Sequence, residues 1–265
     1  MVAVLHLPDT FVLERRSATA DLMEAVVDHW EARLRQRLKE AQPRPLGLAT
    51  GRTMVPFYAA LVRRLQAWPD AEQDQLRRGW LSFNLDEYVG MGATHPASFS
   101  AFMHQNLGAP LGFSPHQLRV PDGAAMNPDL EARRYRDALF AAGGIGLQLL
   151  GLGSNGHVGF NEPPCTADVV CRCVQLCQAT QEQNAGAFGG DPKQVPAQAI
   201  TLGLAEILEA QEVHLIVTGA SKTAILQRVF AAGCDPSLPA SWLLRHPQVR
   251  LWVDDAALGV AVAAR

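Results

Sequence analysis

Residues 145–162, IGLQLLGLGSNGHVGFNE, begin as an apolar run and end as a glycine-rich turn carrying a histidine and a glutamate. The run IGLQLLGL (145–152) has the length and apolar content of a central strand in a buried sheet. Gly153–Gly156 then turn the chain through small residues that leave no room for bulk. Outward from this point, short β-rich runs alternate with helical stretches. That alternation predicts an α/β fold: a single-domain, Rossmann-like, open and mostly parallel sheet with helices on both faces.

On the N-terminal side, Leu22, Val26, Trp30, Leu34 and Leu38 recur every four residues and predict a helix over 19–42, with Pro43 just beyond it. PLGLAT (45–50) is a short buried strand running into Gly51 and a helix over about 55–65, and LSFNL (81–85) is a strand ending at Asp86. Asn127-Pro128 starts a helix over 129–142 and Gly143-Gly144 stops it. On the C-terminal side, VHLIVTG (213–219) is a strand followed by a helix through Ala231, and VRLWV (249–253) is the last strand. MVAVLHLPDTFVLERR at the start reads as a first strand, since it lacks the basic flank of a signal peptide. No repeat or Pro/Gly/Ser linker divides residues 1–265, which predicts one domain. The segment 163–196 shows neither helical nor strand period; it is either a mobile lid or a surface excursion with a short helix.

A net charge of -3 argues against a nucleic-acid backbone binder, and no apolar run reaches the length of a membrane span. Five cysteines cannot all pair within the chain, and the length creates no need for disulfide staples, so a reducing, cytoplasmic setting is expected. Cys165, Cys171, Cys173 and Cys177 do not have zinc-site spacing, and no metal is expected. His95, His104 and His246 lack partners at ligand spacing; His95-Pro96 is the pair that could line a cleft.

Two strand-to-helix junctions suit an anion: Thr50-Gly51-Arg52-Thr53, and Gly219-Ala220-Ser221-Lys222. In each, glycine allows a tight turn, the free N–H groups of a helix start favour phosphate, and one cation lies inside the loop. Asp86-Glu87-Tyr88 stands at the carboxyl end of a strand, the edge of a parallel sheet where ligands bind. An Asp there can act as a base toward a proton next to a carbonyl. His157 is suited to moving protons near neutral pH, and Asn155, Asn161 and Glu162 are placed to orient it or stabilise its charge.

NLDEYVG with HPASFSAFM (95–103), GLGSNGHVGFNEP, VPAQAITLG (195–203) and GASK (219–222) together resemble the signature segments of the glucosamine-6-phosphate deaminase/isomerase family, in the family's order. The resemblance covers roughly residues 45–255. It implies aldose–ketose isomerisation and deamination of an amino-sugar 6-phosphate, giving a ketose 6-phosphate and ammonia. Asp86 would take the C2 proton and return one at C1. His157 would open the pyranose ring by moving a proton at the ring oxygen, supported by Glu162 and oriented by Asn155. Lys222 and the Thr50, Gly51, Arg52, Thr53 loop would hold the phosphate, with Glu87 among the substrate-binding residues. The resemblance implies no cofactor and no metal. The expected partner is a small amino-sugar phosphate, with neither nucleic acid nor membrane; monomer and homo-oligomer both stay open.

Three positions depart from the family's pattern. Position 155 is Asn where many members have Asp, so it orients His157 by hydrogen bonding without adding charge. The phosphate loop has Arg52 where a second small residue is usual, and the lid position that usually carries an arginine is Gly186. Arg52 would then replace the lid cation. Some members respond to an N-acetylated sugar phosphate through an Arg and a Lys after the Asn-Glu-Pro motif; Arg172 is present here, but its companion is Val174. The competing readings are a galactosamine 6-phosphate enzyme, a 6-phosphogluconolactonase-type hydrolase and a non-catalytic sugar-phosphate sensor. The sister lactonases typically carry Arg after Asp-Glu and lack the Phe-Asn-Glu-Pro ending.

Overall fold

The computed structural model describes residues 7–231 and 233–260. Its main sheet contains β1 (Phe11–Arg16), β2 (Leu46–Leu48), β3 (Ser82–Asn84), β5 (Leu118–Arg119), β6 (Leu147–Gly151), β9 (Glu212–Val217) and β10 (Val249–Asp254). These seven strands lie in the order β1-β10-β9-β6-β2-β3-β5, and every pairing is parallel. The chain moves outward from β2 in one direction and from β6 in the other. The β2–β6 neighbourhood is therefore the switch point, where an open α/β sheet leaves a crevice beyond its strand ends.

Helices flank the sheet: α1 (Thr19–Arg37), α2 (Met54–Gln66), α3 (Asp70–Gly79), α4 (Phe99–Met103), α5 (Ala109–Leu111), α6 (Pro128–Ala141), α7 (Gln178–Asn184), α8 (Leu204–Leu208) and α9 (Thr223–Ala231). A π-helical turn, His104–Gly108, joins α4 to α5. None of the described helices is long and apolar enough to cross a membrane. The four-residue apolar period of α1 becomes a buried stripe of Leu22, Val26, Trp30 and Leu34. This helix stops at Arg37, five residues short of the expected end, because Lys39 and Glu40 bond back to Gln36 and Arg37 in i→i+3 turns. In α6 the expected signals operate: the Asn127 side chain accepts from Leu130 N and Pro128 takes the first turn. The first strand occupies Phe11–Arg16; the MVAVLH portion of the stretch assigned to it lies outside the described residues.

A second, antiparallel sheet has the order β4-β8-β7, formed by β4 (Asp86–Tyr88), β8 (Gln198–Thr201) and β7 (Arg172–Gln175). Asp86 thus ends one sheet and begins another. The aperiodic segment 163–196 also contains β7, α7 and two 3-10 turns, Ala185–Phe188 and Pro192–Gln194. It packs on a small core of its own, in which Leu176, Ala185 and Val195 meet Tyr88, Met91 and Phe160.

Beneath the main sheet, at the amino ends of β9 and β10, Glu212 accepts from His214 Nε2 at 2.9 Å and pairs with Arg33 at 3.1 Å. His29 Nε2 lies 3.2 Å from the same carboxylate. His29, Glu212 and His214 have the proximity of a metal site, but their protonation does not suit one. The indole N–H groups of Trp30 and Trp252 both donate to His214 Nδ1, so its proton sits on Nε2. A cation there would require an imidazolate. Burial pushes the His214 pKa down to about 4, and the neutral ring serves as a hydrogen-bonded core residue.

Candidate active site

The carboxyl ends of β2, β3, β6 and β9 carry the expected residues to the same edge of the sheet. After β2, Gly51 takes φ +103, and Met54 N closes the turn onto Gly51 O at 2.9 Å. Thr53 precedes α2 without using its side chain as a cap, which leaves its hydroxyl for a ligand; of the first three residues of α2, Met54 N is used in the turn and Pro56 has no N–H, so Val55 N is the amide that remains. After β9, Lys222 ends a 3-10 turn, Ala220–Lys222. Burial lowers its pKa, and so does the positive charge of Arg52, so the two loops present their cations to one another. Neither cation forms an ion pair among the described residues. Two half-facing cations without a carboxylate are electrostatically incomplete and suit a dianion.

Asp86 follows β3 and is buried. Its carboxylate accepts no hydrogen bond from the described residues, and burial, with the neighbouring Glu87 second, raises its pKa to about 8. The backbone of Asp86 pairs with Thr201. Thr201 Oγ1 in turn accepts from Phe160 N at 3.2 Å, which brings the turn after β6 against Asp86.

Glu87 departs from its expected role. Oε1 accepts from Tyr88 N and Phe99 N, both at 2.9 Å, and Oε2 from Ser100 N at 2.8 Å. The carboxylate is spent on the start of α4 and organises the site from behind. Tyr88 points into the small core, 4.7 Å from Phe99 and 5.5 Å from both Phe160 and Phe188 between ring centroids.

The turn after β6 fixes His157. Asn155 Oδ1 accepts from the backbone His157 N at 3.2 Å and lies 2.6 Å from His157 Nδ1. An atom that accepts from a backbone amide is the carbonyl oxygen, so Nδ1 carries the proton and Nε2 keeps its lone pair. Burial lowers the His157 pKa to about 4, against the opposing charge of Glu162 and with that of Lys222. The ring is therefore neutral at pH 7. Glu162 Oε2 accepts from Cys177 N at 3.1 Å, while its buried Oε1 has no partner.

Asn161, expected beside His157, and Arg172, expected at an effector position, are bonded to one another. Asn161 Nδ2 donates to Val158 O and Leu202 O at 3.0 and 2.9 Å, and its Oδ1 accepts from Arg172 at 2.9 Å. Arg172 also donates to Val170 O and to the Cys165 thiol. The guanidinium is thus bonded inward, against the turn that carries His157. The five cysteines are free thiols. His95 accepts from Ala97 N on an exposed turn, and His246 is buried against Ala210 O and Gln248 N.

A cavity of about 270 Å³ lies at the opposite ends of the strands, lined by Leu34, Leu38, Leu46, Leu76, Trp80 and Leu81 among others. None of the expected site residues lines it.

Residues 17–252 match the family model described as glucosamine-6-phosphate isomerases/6-phosphogluconolactonase. A glucosamine-6-phosphate deaminase of Rhodopirellula baltica is 39% identical over 247 residues, 89% of this chain and 94% of the relative. One from Lysinibacillus sphaericus is 41% identical over 217 residues, covering 81% and 89%. Among solved structures, a monomeric glucosamine-6-phosphate deaminase superposes with a TM-score of 0.85 at 28% identity, covering 94% of this chain and 99% of the other. The 6-phosphogluconolactonase of Leishmania guyanensis, at 19% identity and TM-score 0.71 with 96% and 99% covered, shares the fold.

Proposed function

The chain belongs to the glucosamine-6-phosphate isomerase/6-phosphogluconolactonase family, and from that premise we propose that it converts glucosamine 6-phosphate to fructose 6-phosphate and ammonia. The observation that carries this reading is a buried carboxyl without a protein partner, Asp86, brought against the turn of a neutral histidine. An electrostatically incomplete pair of cations stands at the same sheet edge.

Arg52, Lys222, the Thr50 and Thr53 hydroxyls and the Gly51 turn hold the phosphate, and this remote binding energy fixes C1 and C2 near Asp86. His157 Nε2, the free lone pair, accepts the proton of the anomeric hydroxyl and delivers one to the ring oxygen, opening the pyranose to the aldehyde. Glu162, whose charge favours the imidazolium, supports the charged intermediate, while Asn155 keeps Nδ1 facing away from the sugar. Ionised Asp86 removes the C2 proton, a proton passes from the C2 ammonium to O1 to leave a neutral enolamine, and the Asp86 carboxyl returns its proton at C1. The resulting C2 iminium takes up water and loses ammonia to give the ketone. A lone carboxylate can perform this abstraction only where the developing charge is stabilised, which exclusion of water from the site assists.

The segment 163–196 acts as a lid. Its α7 hangs from the catalytic turn by two bonds, Cys177 N to Glu162 and Ser154 N to Gln183, and closure over the sugar would exclude water. Tyr88 and the Phe160–Glu162 ending, rather than an arginine after Asp-Glu, favour deamination over lactone hydrolysis. The deciding assay is ammonia release from glucosamine 6-phosphate and galactosamine 6-phosphate, with Asp86→Asn as the inactive control. Release from the first sugar is expected; release from neither sinks the reading, and preference for the second reassigns the epimer.

A further inference from the structure

Lys222 sits on a turn that is held from behind by a residue outside the chemistry. Asp254, the last residue of β10, is 2% exposed. Gly219 N donates to its two oxygens at 3.0 and 3.2 Å, Ala257 N to Oδ1 at 2.8 Å and Thr19 Oγ1 to Oδ2 at 2.6 Å. Just beyond Lys222, Thr223 Oγ1 donates to Ala256 O at 3.0 Å. The turn closes on itself through Lys222 N to Gly219 O at 3.0 Å. Lys222 is therefore suspended between two anchors, positions 219 and 223, both tied to the turn that follows β10. Gly219 adopts φ +87, a region closed to most side chains, and this conformation coincides with its amide facing Asp254.

A carboxylate behind an anion site opposes the anion by charge. What it supplies is direction, since hydrogen bonds to an ionised group are the stronger kind. We propose that Asp254 and Thr223 are positioning residues for the phosphate: they set the turn that aims Lys222, and their loss is felt in phosphate affinity rather than in proton transfer. The proposal rests on the reading of Lys222 and the Thr50–Thr53 loop as the phosphate site.

The test compares Asp254→Asn, Asp254→Ala and Thr223→Val with the wild type, measuring kcat and KM for glucosamine 6-phosphate and the Ki of inorganic phosphate. KM and Ki are expected to rise together, by about three- to tenfold for Thr223→Val and Asp254→Asn and by more for Asp254→Ala, with kcat changing by less than about threefold. A purely structural role would lower the melting temperature without this paired shift. Folded Asp254→Asn and Thr223→Val proteins with wild-type KM and Ki overturn the proposal, whether or not Asp254→Ala folds. Calorimetric titration with inorganic phosphate decides the same point if the wild type releases no ammonia, with weaker binding by the variants supporting it and equal binding overturning it. Lys222→Ala in the same titration separates the premises: unchanged binding there removes the phosphate site itself.

Discussion

The imidazole of His157 lies flat against Gly153, so close that a methyl group on Gly153 would overlap ring atoms Cε1, Nε2 and Cδ2. The ring is also held at its other edge by Asn155. Its position is thus set by the absence of a side chain two residues after β6 as much as by a hydrogen bond. Gly153→Ala must displace the base while leaving the phosphate loops untouched. We expect kcat to fall by about 100-fold, the cost of a misplacement near 1 Å, with KM within a few-fold of wild type. Steady-state kinetics on protein of verified melting temperature checks this, and an unchanged kcat would show that ring placement does not limit the reaction.

Asp86 gives a prediction of opposite sign for stability and activity. Its native pKa, about 8, lies above its unfolded value, so between the two the folded state binds more protons than the unfolded. Stability is then present at low pH and declines as pH rises from about 4 through 8. Asp86→Asn removes that decline. The variant should be inactive, equal to wild type in melting temperature near pH 4, and more stable by several degrees at pH 8 and above. The same pKa predicts that kcat/KM of the wild type climbs with pH toward about 8 as the base ionises. A profile already flat at pH 6, or an Asn variant that melts lower at pH 8, would contradict this account of the buried acid.

Most of the parallel sheet was legible, because β2, β6, β9 and β10 are short apolar runs; β5, two residues long, left no pattern to read. The placement of Asp86, His157 and Lys222 beyond one edge of the sheet was legible, because each follows the carboxyl end of a strand read from the sequence. The second sheet was not. Asp86–Tyr88, buried throughout, and Arg172–Gln175, partly exposed throughout, are three and four residues long and show no alternation of burial from which a period of two could be read. The surroundings of Glu87 were not legible because sequence shows a carboxylate beside Asp86 but not the three amides bonded to it. Asp254 was invisible for a related reason: its partners Thr19 and Gly219 are distant in sequence, and only closure of the sheet brings β10 beside β9.

Arg172 and Asn161 form a brace whose removal separates two roles for the arginine. Asn161 is fully buried and its oxygen is satisfied by Arg172. Arg172→Met keeps much of the stem's packing but leaves that oxygen with only the weak Cys165 thiol at 4.0 Å, a loss of about 1–3 kcal/mol. The expected result is a lower melting temperature together with reduced kcat, because Asn161 ties Val158 O to Leu202 O beneath the catalytic turn. An arginine that bound an effector would instead leave stability and unstimulated kcat unchanged. Thermal melts and kinetics without any added sugar phosphate other than substrate distinguish the two outcomes.

Arg52 tests whether one loop compensates for another. Gly186, on the 3-10 turn that follows α7, contributes no side chain to the site, and the space around it is open. The positive charge facing Lys222 comes from Arg52 on the β2 loop instead. If this cation binds the phosphate, as proposed, and not the reacting carbons, its binding energy is the same in the ground and transition states. Arg52→Ala should therefore raise KM by about tenfold or more with kcat nearly unchanged, and should weaken competition by inorganic phosphate in proportion. Installing the missing cation with Gly186→Arg in the Arg52→Ala background should recover part of the KM, since Gly186 has room for a side chain. An Arg52→Ala enzyme with wild-type KM would mean that Lys222 and the loop amides hold the phosphate by themselves.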